Sequence, residues 1–279
     1  MKTDWNIKPK SRDNALGVLK AACHETPSAA VILGSGVNVL INIESPVVLP
    51  FEEVFGLAPT VAGHAGSVTF GRIGTDAKAP LVVVFRGRFH LYEGHDWSVV
   101  TLPTCIIMEW GIPKLFLTNA AGGLNRNFNV GDLMVLTGYR DFLNPKHAET
   151  GLISSVLSPA VDCRNSLTDE VMSVGEQLAK ENKDFTALQS GTYSACLGPS
   201  YETLAEIEML RRLKSDAVGM STVPELETAA QGSGTKAAAI SVVTNVWNDK
   251  PMGGHAEVLE ASHAASRRLD MLFHALMTK

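Results

Sequence analysis

The sequence lacks the features that announce most common chemistries. Its four cysteines, Cys23, Cys105, Cys163 and Cys196, are scattered, with neither a CxxC pair nor a metal-ligand spacing near the histidines. That usage fits buried thiols in a reducing cytoplasm and gives no metal site. There is no excess of positive charge: 24 Lys and Arg stand against 29 Asp and Glu, for a net charge of −5, and no basic stripe forms. A nucleic-acid partner is therefore not expected. The longest uncharged run, residues 26–43, is interrupted by Pro27, Gly34, Ser35, Gly36, Asn38 and Asn42, so it reads as strand and turn rather than a membrane span. The N-terminal "MKTDWNIKPKSRDN" has no apolar core of the kind a secretory signal needs. GxSxG, Walker and HExxH motifs are missing, as are paired carboxylates at a motif spacing. A soluble, cytoplasmic protein without a metal is the expectation.

What is present is a chain of 279 residues, 45% hydrophobic, long enough for one large α/β domain spanning 1–279. Strand-like apolar runs recur at 30–33, 81–85, 115–118, 133–137, 217–219 and 237–244, alternating with helical patterns. This is the signature of βα units around a largely parallel sheet. Helices are expected over 11–25, through 97–110 with Pro103 in an early turn or at a kink, over 168–181, and through "TLAEIEMLRRLK". That last segment opens with Thr203 and Glu206 at capping-box spacing, and Thr222, Pro224 and Glu225 repeat the start signal. A C-terminal helix places Val258, Ala261, Ala265, Leu269, Leu272 and Leu276 on one face. Residues 143–166 show no period and read as a long surface loop.

Several polar clusters sit just beyond the strands, where open α/β sheets place ligands. "RGRFHLYEGHD" follows the buried run "LVVVF" and packs Arg, His and Tyr donors into eleven residues, a set suited to a phosphate and hydroxyl groups. "VILGSGVN" is either an anion-cradling turn with the Ser35 hydroxyl or simply a tight turn; Val39 stands where a dinucleotide fingerprint needs its third glycine. "AGHAG" sets His64 between small residues. In "LTNAAGGLN" the Ala-Ala-Gly-Gly run exposes backbone amides to an anion or packs closely against the sheet. "GPSYET" brings Tyr201 and Glu202 to a helix entry, "AVGMSTVPE" offers another anion-binding start, and "SVVTNVWND" ends a buried strand in Asn245, whose amide both donates and accepts.

Together "LGSG", "GHAG", "GRFHLYEG", "TNAAGGLN", "GPSYET", "VGMSTVPE" and "TN", in this order over most of the chain, resemble the trimeric purine nucleoside phosphorylases. The resemblance implies a mixed sheet distorted toward a barrel and flanked by helices, and phosphorolysis of purine nucleosides, with inosine and guanosine expected, to free base and pentose 1-phosphate. Inorganic phosphate would be the co-substrate, no cofactor would be needed, and the protein would be a homotrimer. Carried over motif by motif, phosphate would lie among Ser35, His64, Arg88, His90, the Ala121 amide and Ser221. Tyr92 would reach the ribose, Glu93 would steady the cluster, and Met220 would pack under the sugar. His255 would meet the 5′-hydroxyl. Tyr201 would cover the base, and Glu202 and Asn245 would hold the purine edge. Two features differ from the family: the stretch "SVLSPAV" lacks the aromatic that relatives lend to a neighbour's ribose pocket, and "VWNDKPMGG" after Asn245 is unusual. The alternatives are a 5′-methylthioadenosine phosphorylase, in which Asp would stand at Asn245, and a non-catalytic nucleoside-binding protein.

Overall fold

A computed structural model describes residues 9–40, 43–76, 78–143, 159–247 and 254–278. The strands are β1 (Ala29–Ile32), β2 (Glu44–Pro50), β3 (Ser67–Arg72), β4 (Leu81–Arg86), β5 (Lys114–Gly123), β6 (Leu133–Asp141), β7 (Val161–Asp162), β8 (Gln189–Ala195), β9 (Ala217–Gly219) and β10 (Lys236–Val246). They form one mixed sheet in the order β10-β6-β8-β9-β5-β1-β4-β3-β2, with β7 on β6. Because β10 also pairs β5 in parallel, five strands close on themselves as a barrel-like ring. The helices α1 (Arg12–Ala22), α2 (Phe51–Phe55), α3 (Trp97–Val100), α4 (Leu102–Trp110), α5 (Ser166–Glu181), α6 (Leu204–Arg212), α7 (Val223–Ala230) and α8 (His255–Met277) flank it.

The continuous apolar runs are strands because both faces of the sheet are covered. In β1, Ala30 and Ile32 join a core containing Phe51, Phe55, Phe85 and Ile106, while Ala29 and Val31 join a second core with Val171, Leu269 and Phe273. That alternation is the two-residue period of a strand sandwiched between helical layers. The sheet is thereby a rigid platform whose strand ends carry the polar motifs.

The structure extends the sequence reading in several places. β2, β3, β7 and β8 were not anticipated. β2 is an exposed edge strand with two prolines, and β8, "QSGTYSA", is largely polar, so neither has the apolar run that marks a covered strand. The single helix expected through 97–110 is two, joined at Thr101, and Pro103 sits in the first turn of the second. The expected loop 143–166 is shorter at its C-terminal side: Val161 and Asp162 pair with Tyr139 and Gly138, and Asn165 caps α5 by accepting from the Leu167 and Thr168 amides. Residues 144–158 lie outside the described residues. None of the described helices is long and apolar enough to cross a membrane.

Candidate active site

A cavity of about 500 Å³ opens at the ends of β1, β4, β5, β9 and β10. Ser35, Arg88, His90, Tyr92, Glu93, Ala121, Tyr201, Glu202, Met220, Ser221 and Asn245, drawn from six separate motifs, all line it. His64 reaches the cavity through its neighbours: its Nε2 lies 3.4 Å from the Ser35 hydroxyl, and its ring stacks on His90 at 5.3 Å. His255 begins α8, and its side chain lies outside the described residues.

The two arginines of "RGRFHLYEGHD" separate at Gly87. Its φ of 132° is open only to glycine, and a Cβ there would lie 2.8 Å from the His64 Cβ. Arg86, before the break, holds the neighbouring loop by donating to the carbonyls of Val39 and Leu40 at 3.0 and 2.8 Å. Arg88, after it, is 2% exposed; its Nε donates to Glu225 Oε1 at 2.7 Å and its Nη1 to the Thr118 carbonyl at 2.6 Å. Its Nη2 is buried and has no hydrogen-bond partner among the described residues, a charged donor that these contacts leave unused.

Beyond Arg88 the rings of His64, His90 and Tyr92 form a stack, with the last pair 4.7 Å apart. Glu93 organises it. Its Oε1 accepts from the His90 backbone N–H at 2.8 Å and lies 3.1 Å from His90 Nδ1, while its Oε2 accepts from the Thr60 amide and hydroxyl at 2.8 and 2.7 Å. Burial alone would raise the Glu93 carboxyl, but these donors outweigh it and hold the pKa at about 2. Burial pushes the His90 imidazole down, with Arg88 adding to the effect, and so favours a neutral ring. The Nδ1–H is then committed to Glu93, and Nε2 becomes an acceptor. Burial and the nearby Glu93 push the Tyr92 hydroxyl up to about 12.

The "LGSG" turn is a turn first. The Gly34 amide donates to Thr118 Oγ1, and the Gly36 and Val37 amides donate to the carbonyls of Gly63 and Gly34, so these three do not form an open anion cradle. "AAGG" likewise stays in the sheet: Ala120 to Gly123 are the last residues of β5, in register with β10, and Gly123 packs against Val243. On the facing side, Ser221 is nearly buried, its amide 3.4 Å from the Tyr193 hydroxyl. It precedes Thr222, whose φ of +74° is rare for a β-branched residue and costs on the order of 1 to 3 kcal/mol.

The opposite end of the cavity has a different chemistry. A bulge in β10 between Val243 and Asn245 places Asn245 beside Gly122. The Thr244 hydroxyl lies 3.2 Å from Asn245 Oδ1 and 3.3 Å from the Ala121 carbonyl oxygen. Glu202 stands one residue before the α6 cap, where Thr203 and Glu206 form the capping box that their spacing implied. Burial raises the Glu202 carboxyl, and the neighbouring Glu206 charge adds to the shift. Tyr201 is 40% exposed at the mouth.

Sequence reasoning missed Thr60, Asn119 and Glu225. Thr60 carries no motif. Asn119 lies inside "TNAAGG" and donates to Thr222 Oγ1 at 2.9 Å. Glu225 has the spacing of a helix-capping acid, yet its carboxylate turns to Arg88 instead.

Comparison with known proteins matches residues 28–278 to the family model described as "Phosphorylase superfamily". The chain is 36% identical to purine nucleoside phosphorylase 1 of Bacillus subtilis, covering 96% of this chain and 97% of that enzyme. It is 35% identical to the purine nucleoside phosphorylase of Bos taurus, covering 91% and 89%. Among solved structures, Schistosoma mansoni purine nucleoside phosphorylase in complex with inosine superposes with a TM-score of 0.77 at 27% identity, covering 96% and 95% of the two chains. The closed mixed sheet, the cavity at its strand ends and these matches together show that the chain belongs to the phosphorylase superfamily and, within it, to the purine nucleoside phosphorylases.

Proposed function

We propose that this cavity performs phosphorolysis of purine nucleosides, with 6-oxopurines preferred, by holding phosphate at the Arg88 end and the purine at the Asn245 end. The observation that carries this reading is that Arg88, whose buried Nη2 has no hydrogen-bond partner among the described residues, lines the same cavity as Glu202 and Asn245. Phosphate would be held by Arg88, Ser35, Ser221, the Ala121 amide and His90, whose neutral Nε2 accepts from a protonated phosphate oxygen. His64 supports Ser35 and His90. Tyr92 and Met220 would border the ribose, with His255 toward its 5′-hydroxyl, and Tyr201 would cover the base.

In the reaction a phosphate oxygen forms a bond to C1′ while the bond from C1′ to N9 breaks, its electron pair going to the purine. Positive charge grows on the sugar and negative charge on the base. The phosphate dianion stabilises the first, and the Asn245 amide stabilises the second, its Nδ2 donating to O6 and its Oδ1 accepting from N7 once that atom is protonated. Both charges are met by substrate and protein, so the reaction as proposed calls on no metal or organic cofactor. Incubation with inosine and phosphate should release hypoxanthine and ribose 1-phosphate, and only when both substrates are present. Inosine binding without turnover would favour a nucleoside-binding protein; turnover confined to 5′-methylthioadenosine would favour the alternative phosphorylase.

The raised Glu202 pKa gives a pH test. Glu202 must be ionised to accept from the N1 hydrogen of a 6-oxopurine, so inosine binding should weaken as pH falls through that raised value. At saturating phosphate, kcat/KM for inosine is expected to show an acid limb above the ordinary carboxyl value of 4.5. Glu202→Gln should remove the limb as well as lower the plateau. An identical limb in that variant would assign it elsewhere.

A homotrimer is part of the same proposal. Leu197, Tyr201 and Leu204, on the segment that carries Glu202, are 53%, 40% and 61% exposed, an apolar rim beside the cavity mouth. Sedimentation equilibrium should give three chains per particle. A fully active monomer would overturn this part.

A further inference from the structure

We propose that Glu225 is a positioning residue for phosphate: it aims the Arg88 guanidinium into the cavity and gives up capping its own helix to do so. The inference rests on the phosphate reading of Arg88 given above. Its independent support is a comparison inside this chain. The pattern Thr-x-x-Glu occurs at the start of two helices, at Thr203 with Glu206 and at Thr222 with Glu225. In α6 it forms the expected reciprocal box: Thr203 Oγ1 accepts from the Glu206 amide, and Glu206 Oε2 accepts from the Thr203 amide at 2.7 Å. In α7 no side-chain cap bond forms. Thr222 has a φ of +74°, and its hydroxyl accepts from Asn119. Glu225 extends instead to Arg88, 2.7 Å away, in an ion pair whose side chains are each 2% exposed.

Helix stability does not explain that departure, because the same residues cap α6 without strain. The geometry at Arg88 does. A guanidinium on a flexible stem has many orientations, and this one is fixed on two sides, by Glu225 at Nε and by the Thr118 carbonyl at Nη1. The remaining nitrogen, Nη2, is the one left without a partner among the described residues. Glu225 does not line the cavity, so it makes no contact with phosphate and can orient it only through Arg88. Its charge has two opposed effects: it orients the guanidinium, and it offsets part of the attraction for an anion. The proposal is that orientation dominates.

The test varies phosphate and inosine separately in Glu225→Gln, Glu225→Ala and, as a structural benchmark, Glu206→Gln. Glu225→Gln keeps an acceptor for Nε but loses the charge-assisted bond, and is expected to raise the phosphate KM about tenfold with the inosine KM within about twofold. Glu225→Ala should raise it further. Glu206→Gln should lower the melting temperature without moving the phosphate KM. A phosphate KM unchanged in Glu225→Gln, or lowered because the offsetting charge is gone, would overturn the proposal even if the alanine variant did not fold. Should Arg88→Ala also leave phosphate use unchanged, the phosphate site itself would be misplaced and the inference would fall with it.

Discussion

Replacing Arg88 with alanine is expected to raise the phosphate KM about ten- to a hundredfold while leaving the inosine KM within about twofold, since a charge-assisted contact contributes roughly 1.5 to 3 kcal/mol. The substitution also leaves the Glu225 carboxylate buried without its cation, and breaking one side of a buried pair costs about 3 to 5 kcal/mol of stability. The melting temperature should therefore fall together with phosphate affinity, so the two effects must be separated. Arg88→Lys does this. Lysine keeps the positive charge beside Glu225 but is a point charge on a flexible stem, unable to contact Glu225, the Thr118 carbonyl and phosphate in one planar fork. It should recover much of the stability and little of the phosphate affinity. Steady-state kinetics with each substrate varied, beside thermal unfolding, decide between the readings. A phosphate KM unaltered in both variants would place the anion elsewhere.

What the sequence revealed and what it concealed follow one physical division. β1, β4 and the first half of β5 were legible because both faces are buried and the runs 29–32, 81–85 and 115–117 are apolar throughout. β2 and β8 were hidden because exposed or polar strands owe their form to pairing partners far along the chain, which composition does not encode. The site divides in the same way. Arg88, His90, Glu202 and Asn245 stand out because polar residues directly beyond an apolar run or at a helix entry are conspicuous. Thr60 and Glu225 serve through contacts 33 and 137 residues distant in sequence, so no local signal marks them. The capping pattern at Glu225 was even misleading: it identified the start of α7 correctly but pointed to the wrong partner for the carboxylate. The ring closure of β5 with β10 had a similar status. Only family resemblance implied it, yet it sets Asn245 beside Gly122 and so joins the two ends of the cavity.

The largest expected effect concerns which purine is accepted. A 6-oxopurine carries a hydrogen on N1 and lone pairs on O6. The Glu202 carboxylate can accept the first, and Asn245 Nδ2 can donate to the second. As the glycosidic bond breaks, N7 takes a proton from water, balanced by the proton the phosphate gives up on becoming an ester, and Asn245 Oδ1 can accept from N7–H. Adenine reverses the pattern: its N1 is a bare acceptor facing a carboxylate, and its 6-amino group is a donor facing a donor. Unpaired polar groups in a site built for hydrogen bonds cost discrimination on the order of 10⁴. Inosine and guanosine should then be good substrates and adenosine a poor one. Asn245→Asp should move the preference toward adenosine, because a carboxylate accepts from a 6-amino group and repels a 6-oxo group. The change should act mainly through kcat/KM for the nucleoside, with the phosphate KM little altered, since Asn245 lies at the far end of the cavity from Arg88. Measuring kcat/KM for inosine, guanosine and adenosine on both proteins is decisive: comparable values for adenosine and inosine in the unmodified enzyme would refute the pairing of Glu202 with Asn245.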